Sequence, residues 1–290
     1  MSQTTDQPDL QADADADAEA AGITAASILG PADADFLLTS FTNFLAVALH
    51  SILFYRKLYP ETTFMTARAY NIPVHQSRHS GVCAWIRDAV AAAAEQLRAG
   101  SARQISLVIH APCNFAVAER WIFDVQSFPS SWPEAIVSPD ETDEDSDSAE
   151  EDDDDAEPVE ELVNPTDVNE ALRAALSRLF QVGQSRPPLP DGCTFTLGVE
   201  LRDRAPAPIF HPQLWIPSQP SLQAPAANRP GFGRALRGIS TTPVRSVRAG
   251  PLFFECWVEQ GKTKVAASET PPIKPSSTFK KPKSPWQWIQ

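Results

Sequence analysis

His75, His79 and Cys83 stand at steps of four, the spacing that puts side chains on one helical face, and imidazole with thiolate is a zinc-binding combination. A helix is expected to start between them at Gly81, and a fourth ligand is missing, so no zinc site is predicted. His110 and Cys113 could pair as base and nucleophile, but no third group is in place to orient the base. The chain has no phosphate-cradling glycine loop, no Gly-x-Ser-x-Gly turn and no His-Glu-x-x-His helix. Neither catalysis nor a cofactor is expected.

The remaining chemistry is that of binding. Leu252, Phe254, Cys256 and Val258 alternate with Phe253, Glu255, Trp257 and Glu259, so a strand there puts a Trp and a Phe on its charged face, where they invite a partner. Before it, from Asp203 to Pro251, lies a proline-rich connection with no convincing periodic element. Between Arg204 and Phe254 there are six Arg, no Lys and no acid. Unstructured connections this long are uncommon inside compact domains unless they are functional. This one carries Leu214, Trp215 and Ile216, an apolar cluster that a linker would not need.

Other elements must position these residues. Leu37, Phe41, Phe44, Leu45, Ala48, Leu49, Ile52 and Tyr55 recur at helical spacing, with Asp33 or Asp35 as the expected N-cap. A second helix is predicted from about Gly81 to Ala99, stopped by Gly100. A third begins at Thr166 or Asp167 and buries Val168, Leu172, Ala175, Leu176 and Leu179, leaving Arg173 and Arg178 off the stripe. Ile105, Leu107 and Ile109 alternate as a strand, as do Val117, Trp121, Phe123 and Val125. Phe195, Leu197, Val199 and Leu201 oppose Thr194, Thr196, Gly198, Glu200 and Arg202, an antiparallel strand with one wet face.

The 290 residues carry a net charge of −13, yet Asp140 to Glu161 alone hold 15 acids, leaving about +2 elsewhere. One solvated block therefore sets the acidic balance, and no basic nucleic-acid-binding body is indicated. Residues 1–30, an Asp/Ala tail, 138–164, an acidic insertion, and 261–290, a Lys/Pro/Ser tail, lack the apolar content to fold. The insertion is either solvated spacer or a segment that folds back on the Arg-rich connection. One domain, 31–260, is expected. Four unrhythmic cysteines and no secretory signal suit a reducing cytosol or nucleus, and Lys280, Lys281, Pro282 and Lys283 form a short nuclear-import-like cluster. Phe36 to Tyr55 is too interrupted by polar residues to be expected to cross a bilayer.

Phe44 to Leu53, Tyr59-Pro60, Tyr70-Asn71-Ile72-Pro73-Val74, Glu119 to Val125 and Gly192-Cys193-Thr194-Phe195-Thr196 together resemble the HORMA-domain family, in particular its branch of accessory, non-catalytic subunits of translesion DNA polymerase zeta. The resemblance implies an α+β fold: a central antiparallel sheet backed by three helices, with a C-terminal seatbelt over 202–259 that wraps a partner's peptide. It implies a short apolar-apolar-any-Pro motif of the polymerase's catalytic subunit as ligand. Tyr70, Trp85, Leu214, Trp215 and Ile216 would meet that peptide; the bland readings are a strand filler for Tyr70, a core Trp for Trp85 and a loop plug for Trp215. Arg173 would support a HORMA-to-HORMA dimer, or is solvated surface. Thr241, Glu255 and Trp257 would bind the C-terminal domain of the deoxycytidyl-transferase scaffold polymerase. The N-terminal tail would be a handle for a remodelling ATPase. A checkpoint or meiotic-axis HORMA protein is the alternative. The resemblance implies nuclear residence, and a cytoplasmic pool is compatible with it.

Overall fold

A computed structural model describes residues 29–133 except 113, and 163–262 except 204, 207, 209–214, 224, 226 and 227. Most of both tails, nearly all of the acidic insertion, Cys113 and Leu214 lie outside the described residues.

Helix α1, Pro31–Tyr55, is the centre of the core. Leu37, Phe44, Leu45, Ala48 and Ile52 are fully buried, and Phe41 and Phe44 meet sheet residues Phe254 and Phe123 at ring-centroid distances of 5.1 and 6.0 Å. By length and composition α1 could cross a membrane despite its polar residues, so burial in the core, not composition, is what marks it as a core helix. Its N-cap is Gly30, with Pro31 in the first turn, and not Asp33 or Asp35. Proline fits there because the N–H it lacks would have no helical partner. Asp35 instead pairs with Arg98 at 3.1 Å.

Strands β1, Phe64–Ala69, and β2, Ile72–Ser77, form a hairpin with no sequence forecast. Its two turn residues, Tyr70 and Asn71, have φ of 50° and 58°, the left-handed pair that a tight hairpin turn demands. Helix α2, Ser80–Arg98, matches its forecast; the His79 side chain caps it, accepting from Val82 N at 3.4 Å. Gly100 ends it with φ +63°, where a Cβ would lie 1.9 Å from Ser130 O. Helix α3, Pro165–Ser185, starts one residue before Thr166 and two before Asp167, the forecast starts, because Asn164 Oδ1 accepts from Thr166 N at 2.9 Å with proline at N1.

The main sheet is antiparallel throughout, ordered β5-β3-β4-β7-β6, with β3 at Ala102–His110, β4 at Val117–Asp124, β5 at Thr194–Leu201, β6 at Ser240–Ala249 and β7 at Leu252–Gln260. The described residues thus make an α+β arrangement of three helices and a mainly antiparallel sheet, the architecture that the resemblance implies. Part of the supposedly unstructured connection is strand: β6 contains Pro243 and a bulge between Pro243 and Arg245, which break the alternation that would have revealed it. Consecutive strands β5 and β6 sit on opposite edges. Residues 202–239 must therefore cross four strand spacings, about 19 Å at ~4.8 Å each. Extended, that segment would reach about 125 Å at ~3.3 Å per residue, so it has ample slack to pass around an object.

Candidate functional site

The two edges of the sheet differ in kind. β6 is blunted by Pro243, the bulge and exposed Arg245 and Arg248, the devices that discourage strand addition. Among the described residues β5 pairs with β3 alone; it contains no proline and carries only one charged residue, Glu200. Its other side presents backbone N–H and C=O groups to any strand that joins it. Phe195, Leu197, Val199 and Leu201 are half-buried along it, an apolar row that the fold covers only partly.

Trp85 on α2 and Tyr59 flank Phe195, with ring centroids 5.0 and 6.3 Å away. Trp85 is itself half-buried, which places it at the rim of this row rather than in the centre of the core. The segment after β5 is pinned at both ends. Arg202 N donates to Ser101 O at 2.9 Å and its guanidinium to Gln126 O and Phe128 O at 2.9 and 2.7 Å, while Ile239 N donates to Gln260 O at 2.8 Å. Between them Trp215 is half-buried, and its Nε1–H is shut off from solvent with no acceptor among the described residues. A buried donor without a partner costs about 1–3 kcal/mol, which an incoming carbonyl would recover. Ile216 beside it is 77% exposed.

Tyr70 sits elsewhere. Its hydroxyl donates to Ser40 O of α1 at 3.3 Å, burial pushes its phenol up to about 12, and it lines a cleft of about 720 Å³ among α1, the β1–β2 hairpin and Glu170 of α3. β5 contributes no residue to that cleft. Arg173, half-exposed on α3, is paired with Glu170. Thr241, Glu255 and Trp257 share one face of the β6–β7 hairpin: Thr241 faces Glu259 across the ladder, and Trp257 lies between Glu255 and Glu259. That face is less open than the sequence suggests. Trp257 is half-buried, and Glu259 is buried in an ion pair with Arg120 of β4 at 3.0 Å, the position opposite it in register. Burial pushes the neighbouring Asp124 carboxyl up, with Glu255 directly opposite adding to the shift.

The sequence reading missed a buried ionic junction. Glu119 on β4 accepts from Arg56 Nε and Nη2, both at 2.9 Å, from Arg186 Nε at 2.8 Å and from Trp121 Nε1 at 3.2 Å. Arg56 caps α1, Arg186 caps α3, and Arg186 Nη1 also donates to Thr242 Oγ1 on β6 at 3.3 Å. One carboxylate thereby ties two helix ends to the C-terminal hairpin. Its signal was parity: Glu119 falls in phase with Val117, Trp121 and Phe123, on the core face of its strand.

The described histidines serve structure. His75 stacks on Phe54 at 3.5 Å, Cys83 Sγ donates to Ser77 O at 3.0 Å, and the described residues contain no cluster suited to a metal. Burial lowers the basicity of His50, His75 and His110 from the ordinary 6.5. The unfolded chain therefore takes up protons first as pH falls through that value, and the neutral histidines favour the fold only above it. Asp124, raised by burial, acts in the opposite sense at lower pH. The urea midpoint is expected to be lower at about pH 5.5 than at about pH 7.5, and a midpoint that rises on acidification would contradict this.

The HORMA domain family profile matches residues 38–222. The chain is 34% identical over 221 residues to the "DNA polymerase zeta processivity subunit" of Schizosaccharomyces pombe, a match covering 76% of this chain and 91% of that one. It is 27% identical over 163 residues to "Mitotic spindle assembly checkpoint protein MAD2B" of Danio rerio, covering 56% of this chain and 64% of that one. The solved "Crystal Structure of Mitotic Checkpoint Complex" contains a chain with the same fold at TM-score 0.53 and 22% identity, covering 76% of this chain and 96% of that one. By sequence and by fold, this chain belongs to the HORMA-domain family of non-catalytic adaptors.

Proposed function

We propose that this adaptor captures an extended segment of a partner as an added strand on the free edge of β5 and holds it beneath residues 202–239. The carrying observation is the pair of edges: an unblunted β5 with a half-covered apolar row, and a C-terminal hairpin already docked on the far side through β4. Added-strand recognition draws affinity from main-chain hydrogen bonds and selectivity from side-chain pockets. Trp85, Leu214, Trp215 and Ile216 are assigned to the captured segment, and Tyr70 to its continuation through the cleft beside α1.

The 34% identity to the fission-yeast protein supports placing the adaptor in DNA polymerase zeta; a Pro-containing motif of the catalytic subunit is the proposed captured segment, and the nucleus the proposed location. The shared face of Thr241, Glu255 and Trp257 supports a second docking site for a scaffold polymerase; Arg173, paired with Glu170 on α3, is assigned to a contact with another HORMA domain. The two sites lie on different strands and are separable. Glu255→Ala with Trp257→Ala is expected to retain the catalytic subunit in affinity capture at native salt while losing the scaffold polymerase. Loss of both partners would make these residues structural; recovery of a checkpoint ligand in place of the polymerase would assign the protein to the checkpoint branch.

A further inference from the structure

We propose that Phe115 is an additional anchor for the captured segment, receiving an apolar residue that flanks the part paired with β5; this rests on the capture proposed above. Phe115 lies in the turn joining β3 and β4 and is 63% exposed. Its φ is +51°, a region that glycine and asparagine enter easily and a bulky aromatic does not. The turn is held firmly in this shape. Ala111 N donates to Ala116 O at 2.8 Å, Phe115 N to Ala111 O at 3.2 Å, and Ala116 N to Asn114 Oδ1 at 3.0 Å.

A single isolated Phe on a surface is ordinary. This one occupies an unfavourable backbone conformation and has no aromatic partner among the described residues, so the fold gains little by displaying it. Its position supplies the reason. His110 lies 3.1 Å by Nδ1 from Phe115 O, and because a carbonyl only accepts, Nδ1 is the donor. The neutral ring's Nε2 then accepts from the hydroxyl of Thr196, 3.0 Å away on β5. One buried imidazole thus fixes the displayed Phe and grips the free edge strand together. On the other side of the turn, Pro112 lies near Gly192, two residues before β5 begins: a Cβ at that glycine would sit 3.5 Å from Pro112 Cβ. The turn lies on the β3 side of β5, so a segment paired with the free edge reaches it where its flank crosses the end of β5 past Thr194; there Phe115 offers an aromatic face to a leucine, valine or proline side chain.

The test uses the full chain and two fluorescein-labelled peptides of the apolar-apolar-any-Pro class, one with a leucine flanking each end of the motif and a twin with serines there. Phe115→Gly is expected to raise the melting temperature by about 2–4 °C, because glycine is unstrained at this φ. It is expected to weaken the leucine-flanked peptide roughly tenfold and to leave the serine-flanked twin within about twofold, while Phe115→Leu restores part of the loss. Equal affinities of wild type and variant for both peptides would overturn the anchor. A lower melting temperature would make Phe115 a structural residue, and an equal loss for both peptides would place the effect on β5 itself; either result overturns the proposal. If neither peptide binds wild type, the capture reading fails and the anchor with it.

Discussion

Glu119→Ala is expected to destabilise the protein by about 3–5 kcal/mol, the range for removing one partner of a buried ion pair. The loss is large because two guanidinium groups depend on this carboxylate, and the side chains of Arg56, Arg186 and Glu119 are 3%, 8% and 5% exposed. Deleting the acid leaves both cations desolvated, with backbone carbonyls such as Gly183 O and Pro187 O as the remaining partners of Arg56. For an ordered domain of this size, that loss lowers the melting temperature by roughly 6–20 °C. Arg186→Ala should cost less, since Arg56 still neutralises Glu119 through two bonds. Its distinctive effect is on the hairpin: without Arg186, Thr242 loses its link to the helix ends, and the amides of β6 and β7 should exchange faster than those of β3 and β4. A Glu119→Ala variant within about 1 kcal/mol of wild type would show that the junction is dispensable.

That junction also shows which features were legible beforehand. The first and third helices announced themselves because each lays a continuous apolar stripe on the core: Leu37 to Ile52 and Val168 to Leu179 are buried where spacing placed them. Strands β3, β4, β5 and β7 were equally plain from alternation. The β1–β2 hairpin was not, because Met65, Thr66 and Arg68 leave β1 largely exposed and Tyr70-Asn71 is not the usual glycine-containing turn. β6 was hidden by Pro243 and its bulge. The acid at 119 reads as surface until the parity of its strand is counted, and Glu259 reads as solvent-facing until Arg120 is found opposite it. Strand order was beyond reach in a stronger sense. That β5 is a free edge while β6 caps the opposite one is a consequence of long-range pairing, which no local pattern encodes. The long proline-rich connection was visible as an anomaly; that it must span the width of the sheet emerged only from this order.

Trp215→Ala is expected to speed release of a captured peptide by roughly 10–100-fold while leaving the melting temperature nearly unchanged. The residue is half-buried in a segment outside the main core cluster, so its loss should open little of the core. A bound segment, in contrast, would lose both the apolar cover and the donor. Trp215→Phe separates the two. Phenylalanine keeps most of the apolar cover but removes the Nε1–H that is buried without an acceptor. If the indole N–H is reserved for a carbonyl of the captured backbone, Trp215→Phe should dissociate about 5–10-fold faster than wild type, as expected for losing one buried hydrogen bond of ~1–1.5 kcal/mol. It should also be slightly more stable than wild type when free, because the orphaned donor is gone. If the residue is only a plug holding residues 202–239 down, Trp215→Phe should match wild type in release, and Trp215→Ala should lose thermal stability with no selective effect on the off-rate. Stopped-flow displacement of a labelled peptide, read beside thermal melts of the free chain, distinguishes these outcomes. An unchanged off-rate in Trp215→Ala would remove the physical basis for a clasp, since no other described residue between Leu201 and Pro220 is aromatic.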